Sequence, residues 1–379
     1  METDHPTRIE RLYKLKKSEG LDILLLTSPP TIKWLTGYFY NFEIGTSPFQ
    51  FLPSALVDFS PKKKIMIVAD NEDIKLNQIT SNISIKYYSS YVFNDPLDFT
   101  NQFLIKLYEI FEENNLNNVR IGIEENSLPF TIYKSLKTRY PSLVFVDVTD
   151  EIKYLKAIKD PDEIEAIKKS ITLCDLGQKY ILEHTKVGMT ELEIFGLMRA
   201  ELESFAGNRV PIMLDLVSGS RTEGGGGNPS NNIIKKNDCV LCDLTPCFDG
   251  YWGDTCNTFI IGKPTKDQYT HFKLVQNALQ TAIDFIKPGI KSKEVDQLMR
   301  KFLSPIGVYN HHSGHGIGTT YHEEPRITPY NEMIIKEDMI IALEPAVYIN
   351  GYGIRLEHVV LVTKTGCEQL SKFNHIFEF

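Results

Sequence analysis

Fifteen residues near the C-terminus, HHSGHGIGTTYHEEP (His311–Pro325), hold four of the nine histidines in a 379-residue chain. Imidazoles gathered beside glycines and two carboxylates suit proton transfer and metal ligation near neutral pH. Acids able to join them lie on two predicted hairpins. In CVLCDLTPCFDGYWGDTCNTFIIG (Cys239–Gly262), Asp249-Gly250 is a two-residue turn signal. That turn pairs Phe248 with Tyr251 and Thr245 with Asp254, and Asp243 shares the face of Thr245. Asp243 and Asp254 become diagonal neighbours, roughly 7–8 Å apart at the backbone. In ALEPAVYINGYGIRLEHVVLVT (Ala342–Thr363), Asn350-Gly351 is again a preferred turn. Counting outward sets Glu344 opposite Glu357, with Arg355 on the same side as Glu357. A longer loop preserves this facing if the change is even.

Taken singly, each acid reads as a solvated strand residue. Glu344, however, sits in IIALEPAVY and Glu357 in IRLEHVVLV, both dominated by apolar neighbours. Like charges placed opposite each other on a sheet repel, and a cation between them removes the repulsion. Four carboxylates with one imidazole suit divalent manganese, iron, cobalt or zinc. Two ions under bridging carboxylates would form an arrangement that activates water. One histidine would ligate, leaving others to move protons.

The elements that must position these groups follow from periodicity. DILLLT (Asp22–Thr27), SALVDF (Ser54–Phe59), KIMIVA (Lys64–Ala69), VRIGIEE (Val119–Glu125) and LVFVDV (Leu143–Val148) read as strands. Helical patterns over Pro6–Ser18, Pro96–Asn114 and Pro129–Arg139 lie between them. This alternation predicts an α/β domain with a substantially parallel sheet. No glycine-rich phosphate loop follows any strand, so a dinucleotide site is not supported. At Asp160-Pro161-Asp162 a helix-start signal opens a second portion, with helices at Pro161–His184, Glu191–Ala206 and Lys266–Ile286. EGGGGNPSNN (Glu223–Asn232) reads on composition as a mobile loop, with a substrate lid as the second reading.

Bulk properties narrow the class. The length allows two or three domains. The net charge of −8 argues against nucleic acid as the main partner. No apolar run is long enough for a transmembrane helix, and METDHPTRIERLYKLKK has no signal-peptide apolar region. Six thinly spread cysteines point to a reducing compartment, hence a cytoplasmic protein.

These residues resemble the pita-bread metallopeptidases: prolidase (Xaa-Pro dipeptidase), aminopeptidase P and their relatives. RIERLYKLKKSEGLDILLLTSPPTIKWLTGY is similar to the start of their creatinase-type N-terminal domain, and LKAIKDPDEIEAIKKS to their interdomain segment. The resemblance implies a creatinase-like α/β domain over residues 1–155 and an α+β pita-bread catalytic domain over 156–379. It implies two divalent ions (Mn, Co, Fe or Zn) on Asp243, Asp254, His315, Glu344 and Glu357, with Asp254 and Glu357 bridging and Glu344 near the nucleophilic hydroxide. It gives His322 the substrate carbonyl and the tetrahedral intermediate, and makes His311 a further active-site histidine. Arg355 becomes a substrate-binding arginine of the Xaa-Pro-cleaving branch. It also implies a peptide substrate and a homodimer.

Five positions depart from the family pattern. Gly226 and Gly227 stand where the Xaa-Pro enzymes carry a His-Tyr pair. Asp243-Leu244-Thr245 replaces Asp-x-Gly, Glu357-His358 replaces Glu-Asp, and Ala346 follows Glu344-Pro345 in place of glycine. The metal set is complete while one rim of the pocket is rebuilt. A second reading is therefore a small non-peptide substrate on the same metals, and a third is a non-catalytic binding homologue. Cys239 and Cys242, three apart in a strand, face opposite sides and are not expected to chelate. Cys247 and Cys256 read as packing residues, His312 as a loop or packing residue, and His358 as structural. For Glu323 and Glu324, solvated or structural roles weigh at least as much as a place near the site.

Overall fold

The computed structural model describes residues 7–39, 50–58, 65–70, 83–307 and 309–378. The chain divides into two compact units, Met1–Lys156 and Ala157–Phe379. The first contains α1 (Arg8–Glu19), β1 (Ile23–Leu26), α2 (Pro29–Thr36), β2 (Ser54–Asp58), β3 (Ile65–Asp70), β4 (Ile83–Tyr88), α3 (Phe99–Glu113), β5 (Arg120–Ile123), α4 (Phe130–Arg139), β6 (Val144–Asp147) and α5 (Thr149–Ala157). Its strands form one sheet in the order β4-β3-β2-β1-β5-β6. Successive residues of β1 enter opposite cores, which is why all four are buried. Leu24 and Leu26 pack with Leu12, Ile32 and Ile152 of α1, α2 and α5. Ile23 and Leu25 pack with Phe103, Leu107 and Leu136 of α3 and α4.

The predicted alternation is present, but the sheet is mixed: β2 runs antiparallel to both β1 and β3. The stretch between β2 and β3 is too short for the helical crossover of a parallel pair. Short α2 and β4 escaped the periodicity reading. Pro6, Phe59 and Lys64, which end expected elements, lie outside the described residues, as do Met1–His5 of the N-terminal stretch read as polar.

The second unit contains α6 (Pro161–His184), α7 (Glu191–Ala206), β7 (Ile212–Ser218), β8 (Cys239–Phe248), β9 (Tyr251–Trp252), β10 (Thr255–Ile260), α8 (Lys266–Phe285), α9 (Ser292–Leu303), β11 (Gly314–Gly316), β12 (Glu323–Ile327), β13 (Ile340–Leu343), β14 (Ala346–Ile349), β15 (Tyr352–Arg355), β16 (His358–Val362) and β17 (Cys367–Gln369). Capping boxes start α6 and α7, Asp160 with Glu163 and Thr190 with Glu193, satisfying amides that the first turn leaves free. One sheet runs β10-β8-β7, a second β12-β11-β13-β16-β17, and β14 pairs with β15. Helices α6 and α7 pack on Leu216, Cys242 and Leu244 of the first sheet. Helices α8 and α9 pack on Ile341, Leu343 and Val360 of the second. Cys239 enters the α8/α9 core and Cys242 the α6/α7 core, so the two thiols face apart. No helix among the described residues is long and apolar enough to cross a membrane.

Candidate metal centre

Two hairpins build the site. Both turns carry left-handed φ at their two central residues: 48° at Asp249 and 80° at Gly250, 55° at Asn350 and 84° at Gly351. This is the type I′ geometry that Asp-Gly and Asn-Gly favour. The first hairpin holds one register from Phe248↔Tyr251 to Cys239↔Ile260. At the position where Thr245 meets Asp254, the threonine hydroxyl donates to Asp254 Oδ1 at 2.8 Å. The second holds one register from Ile349↔Tyr352 to Ile340↔Leu361. Its pairing lapses where Glu344-Pro345 faces Leu356-Glu357. Proline offers no N–H there, and the freed amides bond elsewhere. Glu344 N–H donates to Ser313 O at 3.0 Å and Glu357 N–H to Cys256 O at 2.9 Å. The lapse thus ties the second hairpin to β10 and to the histidine segment.

Gly314 and Gly316 let that segment enter. A Cβ on Gly314 would lie 2.2 Å from Ala342 O, and one on Gly316 would lie 2.1 Å from Glu324 O. His315 between them is 1% exposed. Its Nδ1 lies 3.0 Å from Gly316 O, which makes Nδ1 the protonated nitrogen and leaves the Nε2 lone pair free. Nε2 faces Asp254 Oδ2 at 3.6 Å and Glu344 Oε1 at 3.7 Å. Ligand atoms of Asp254, His315 and Glu357 lie within 4.8 Å of one another.

The remaining histidines surround Glu344. His311 Nδ1 is 3.6 Å from Glu344 Oε2, and its Nε2 is 2.9 Å from the Tyr348 hydroxyl. His322 is exposed, with its ring centroid 4.3 Å from that of His315. His312 corrects the sequence reading: it faces the site. Arg326 Nη2 donates to its Nδ1 at 2.6 Å, so Nε2 carries the proton and donates to Glu344 Oε1 at 2.8 Å. Side-chain direction in an irregular segment has no periodicity from which to read it.

The electrostatics are those of an anion cluster. Burial pushes Asp243 up to about 6, against the pull of Arg355 and with the help of Glu344 and Asp215. Burial and neighbouring carboxylates push Asp254 and Glu357 well above the ordinary carboxylate range. Burial opposes ionisation of Glu344 too, but the hydrogen bond from His312 and the adjacent imidazoles outweigh it and lower its pKa. Burial holds His315 down to about 3, hence neutral at physiological pH. Asp243 Oδ1 and both carboxylate oxygens of Glu357 are buried without a hydrogen-bond partner. Stranded buried anions are costly unless paired or bound to metal. This donor set of carboxylate oxygens and a neutral imidazole fits divalent ions.

Arg355 lies on the same side as Glu357 and reaches the first hairpin. Its Nη2 donates to Asp243 Oδ2 at 2.5 Å, and its Nη1 donates to Gly225 O at 2.6 Å and to the Tyr348 hydroxyl at 3.1 Å. The glycine-rich segment is not the mobile loop that composition suggests. Gly219–Gly224 is a 3-10 turn, and Leu216 N–H donates to Gly227 O at 3.1 Å. Both ends are held by Glu191, fully buried at the start of α7. Its carboxylate accepts from the Ser218 and Ser230 amides at 2.8 and 3.1 Å, from Asn232 at 3.1 Å, and from Arg221. The sequence reading passed over Asp215, which pairs with Asp243 across β7 and β8. An acid inside IMLDLVS is the same signal that marked Glu344 and Glu357.

Other residues stand apart. His358 bonds Ser371 Oγ at 2.8 Å and stacks near His375, away from the cluster. Glu323 forms a buried ion pair with Lys159 at 2.6 Å. Glu324 accepts from the Arg326 amide at 2.9 Å. Cys247 and Cys256 are buried.

Sequence comparison matches Metallopeptidase family M24 over residues 165–364 and the Creatinase/Prolidase N-terminal domain over residues 8–158. The Xaa-Pro dipeptidase of Pyrococcus furiosus is 30% identical over 369 residues, covering 96% of this chain and 97% of its own. Among solved structures, the prolidase from Pyrococcus furiosus superposes with a TM-score of 0.78 at 26% identity, covering 95% of this chain and 99% of its own. The X-Pro aminopeptidase from Thermotoga maritima superposes with a TM-score of 0.83 at 22% identity, covering 98% of this chain and 100% of its own, a likeness of fold. Fold, sequence match and a donor cluster suited to divalent ions agree: this chain belongs to metallopeptidase family M24, with a creatinase/prolidase-type domain preceding the catalytic one.

Proposed function

We propose that the chain is a dinuclear metallopeptidase that cleaves Xaa-Pro dipeptides or N-terminal Xaa-Pro bonds. Asp243, Asp254, His315, Glu344 and Glu357 would hold two divalent ions (Mn, Co, Fe or Zn) in a catalytic domain of residues 156–379, which follows an N-terminal domain of residues 1–155 in the chain. The observation that carries this reading is the set of partnerless buried oxygens, Asp243 Oδ1 and Glu357 Oε1 and Oε2, in the cluster with His315. The kinship with the Pyrococcus furiosus Xaa-Pro dipeptidase supports the substrate class.

When bound, such ions supply Lewis acidity to a carbonyl and acidify water. The protein's own groups do the rest. Glu344 takes and returns the proton at a carboxylate oxygen, held by the hydrogen bond from His312, with the His311 imidazole beside it at 3.6 Å. His322, exposed beside His315, donates to the oxygen that gains charge on the scissile carbonyl. Arg355 fixes Asp243 through Oδ2 and leaves Oδ1 free. Because both Nη atoms are engaged, we assign Arg355 to holding the site ahead of gripping substrate. A cytoplasmic homodimer completes the reading.

The test is a reconstituted activity panel with manganese, cobalt, iron and zinc against Xaa-Pro dipeptides, longer Xaa-Pro peptides and small betaine- or amidine-like compounds. Turnover of proline peptides is expected. If none turns over with any metal, the reading fails. The second reading, a small non-peptide substrate, is favoured by Gly226-Gly227, and turnover confined to the small compounds would select it. Metal analysis of Asp254→Ala tests the ligand set, and unchanged metal content would contradict it.

A further inference from the structure

The pocket beside the cluster, about 520 Å³, carries a carboxylate that the proposed reaction does not use. Asp243 and Asp254 line it as expected ligands, and its described lining includes no lysine or arginine. Asp215 lines it too, paired with Asp243 across β7 and β8 and so on the same face. Arg355 does not satisfy both acids equally. Its Nη2 is 2.5 Å from Asp243 Oδ2 but 3.5 Å from Asp215 Oδ2. The Asp215 side chain is 40% exposed, against 7% for Arg355. It therefore keeps an open side toward the pocket. Its position also depends on residue 226 being glycine, since a Cβ there would lie 2.0 Å from Asp215 Oδ2. The departure at Gly226 and the acid at 215 are thus one feature. Around it, Phe195, Ile212, Met213 and Pro229 give the pocket apolar walls.

We propose that Asp215 is a specificity residue that receives the cationic head of a lysine or arginine side chain on the residue preceding the scissile bond. The apolar walls suit the methylene stem of such a side chain while the carboxylate meets its charge. The placement of that residue rests on the Xaa-Pro reading; the selection for charge rests on Asp215 itself. An α-ammonium is the other cation a small peptide brings, and the test separates the two sources.

Manganese-reconstituted wild type and Asp215→Asn are compared on Lys-Pro, norleucyl-Pro and Glu-Pro, all of which carry the same α-ammonium. The readouts are kcat/KM and calorimetric binding of the non-hydrolysable ketomethylene isosteres, with a melting curve to confirm that the variant is folded. Wild type is expected to favour Lys-Pro over norleucyl-Pro by about tenfold, the factor that about 1.4 kcal/mol produces. Glu-Pro should be poorest, and Asp215→Asn should bring the three substrates close together. Equal handling of Lys-Pro and norleucyl-Pro by wild type overturns the proposal. So does a variant that keeps the preference, or one that loses all three substrates in equal measure, since that is the signature of a role through Arg355 or of recognition of the α-ammonium. Charge-selective binding without hydrolysis would sink the peptidase reading and leave Asp215 standing. Hydrolysis without charge selection would do the reverse.

Discussion

Neutralising one expected ligand should stabilise the metal-free protein. Glu357 is 1% exposed and neither of its carboxylate oxygens has a hydrogen-bond partner. Burial, with the charges of Asp254 and Asp243, raises its pKa well above 4.5 in the metal-free fold. At pH 7.5, protonating a group that ionises at 4.5 when unfolded costs about 1.36 × (7.5 − 4.5), or about 4 kcal/mol, which caps the penalty. Glu357→Gln keeps the shape and removes the charge. Its amide gives back about 1–3 kcal/mol through an unmatched donor, so the net gain is of the order of 1–3 kcal/mol. Each kcal/mol moves the Tm of a domain of this size by roughly 2–4 °C. The sign follows from the raised folded-state pKa: wild-type stability from this group is full below pH 4.5 and declines as pH rises. The variant should therefore be the less stable form near pH 4.5, where only the amide cost remains, and should overtake wild type as pH rises toward neutrality. Thermal unfolding in chelator at pH 4.5, 6 and 7.5 measures it, with metal content determined in parallel. With manganese the order should invert, because an ion bound only to the folded state stabilises it. A metal-free variant melting at or below wild type at pH 7.5, or binding as much metal, would refute the reasoning.

Thr245→Val removes the hydroxyl that donates to Asp254 Oδ1. Metal affinity should fall by about 10-fold or more, read by competitive chelator titration, with the melting curve of the metal-free protein nearly unchanged. His312→Leu deletes the donor to Glu344 Oε1 and should lower kcat more than metal content, again by about 10–100-fold; equal activity would return His312 to a packing role. In Glu191 burial opposes ionisation, but donors from Asn232, Ser230, Ser218 and Arg221 outweigh it and lower its pKa. Its contribution to stability is thus full above pH 4.5 and lost as pH falls through the lower folded-state value. Glu191→Gln should cost about 1–3 kcal/mol near neutrality and flatten the acid side of the stability–pH curve below pH 4.5. A wild-type slope retained in that variant would show that another group carries the acid response.

The sequence by itself determined what is local. Asp-Gly and Asn-Gly demand left-handed φ at both turn positions, and a period of two then puts Asp243 on the face of Thr245 and Glu344 opposite Glu357. Asp160 likewise announces the start of α6, because capping chemistry acts within three residues. Only the tertiary structure decided what depends on distant packing. Asp254, His315 and Glu357 come from three segments, and neither turn type nor periodicity says that they meet; burial of the sheets between two helix pairs brings them together. His312 turned inward because Arg326 takes its other nitrogen. The glycine-rich segment, loose by composition, is fastened because Glu191, more than two dozen residues away, offers a buried anion to the amides at both its ends. Asp215 gained an open carboxylate because its arginine partner leans toward Asp243. Each of these is a competition among partners far apart in the chain, and such competitions are settled only when the whole fold has closed around them.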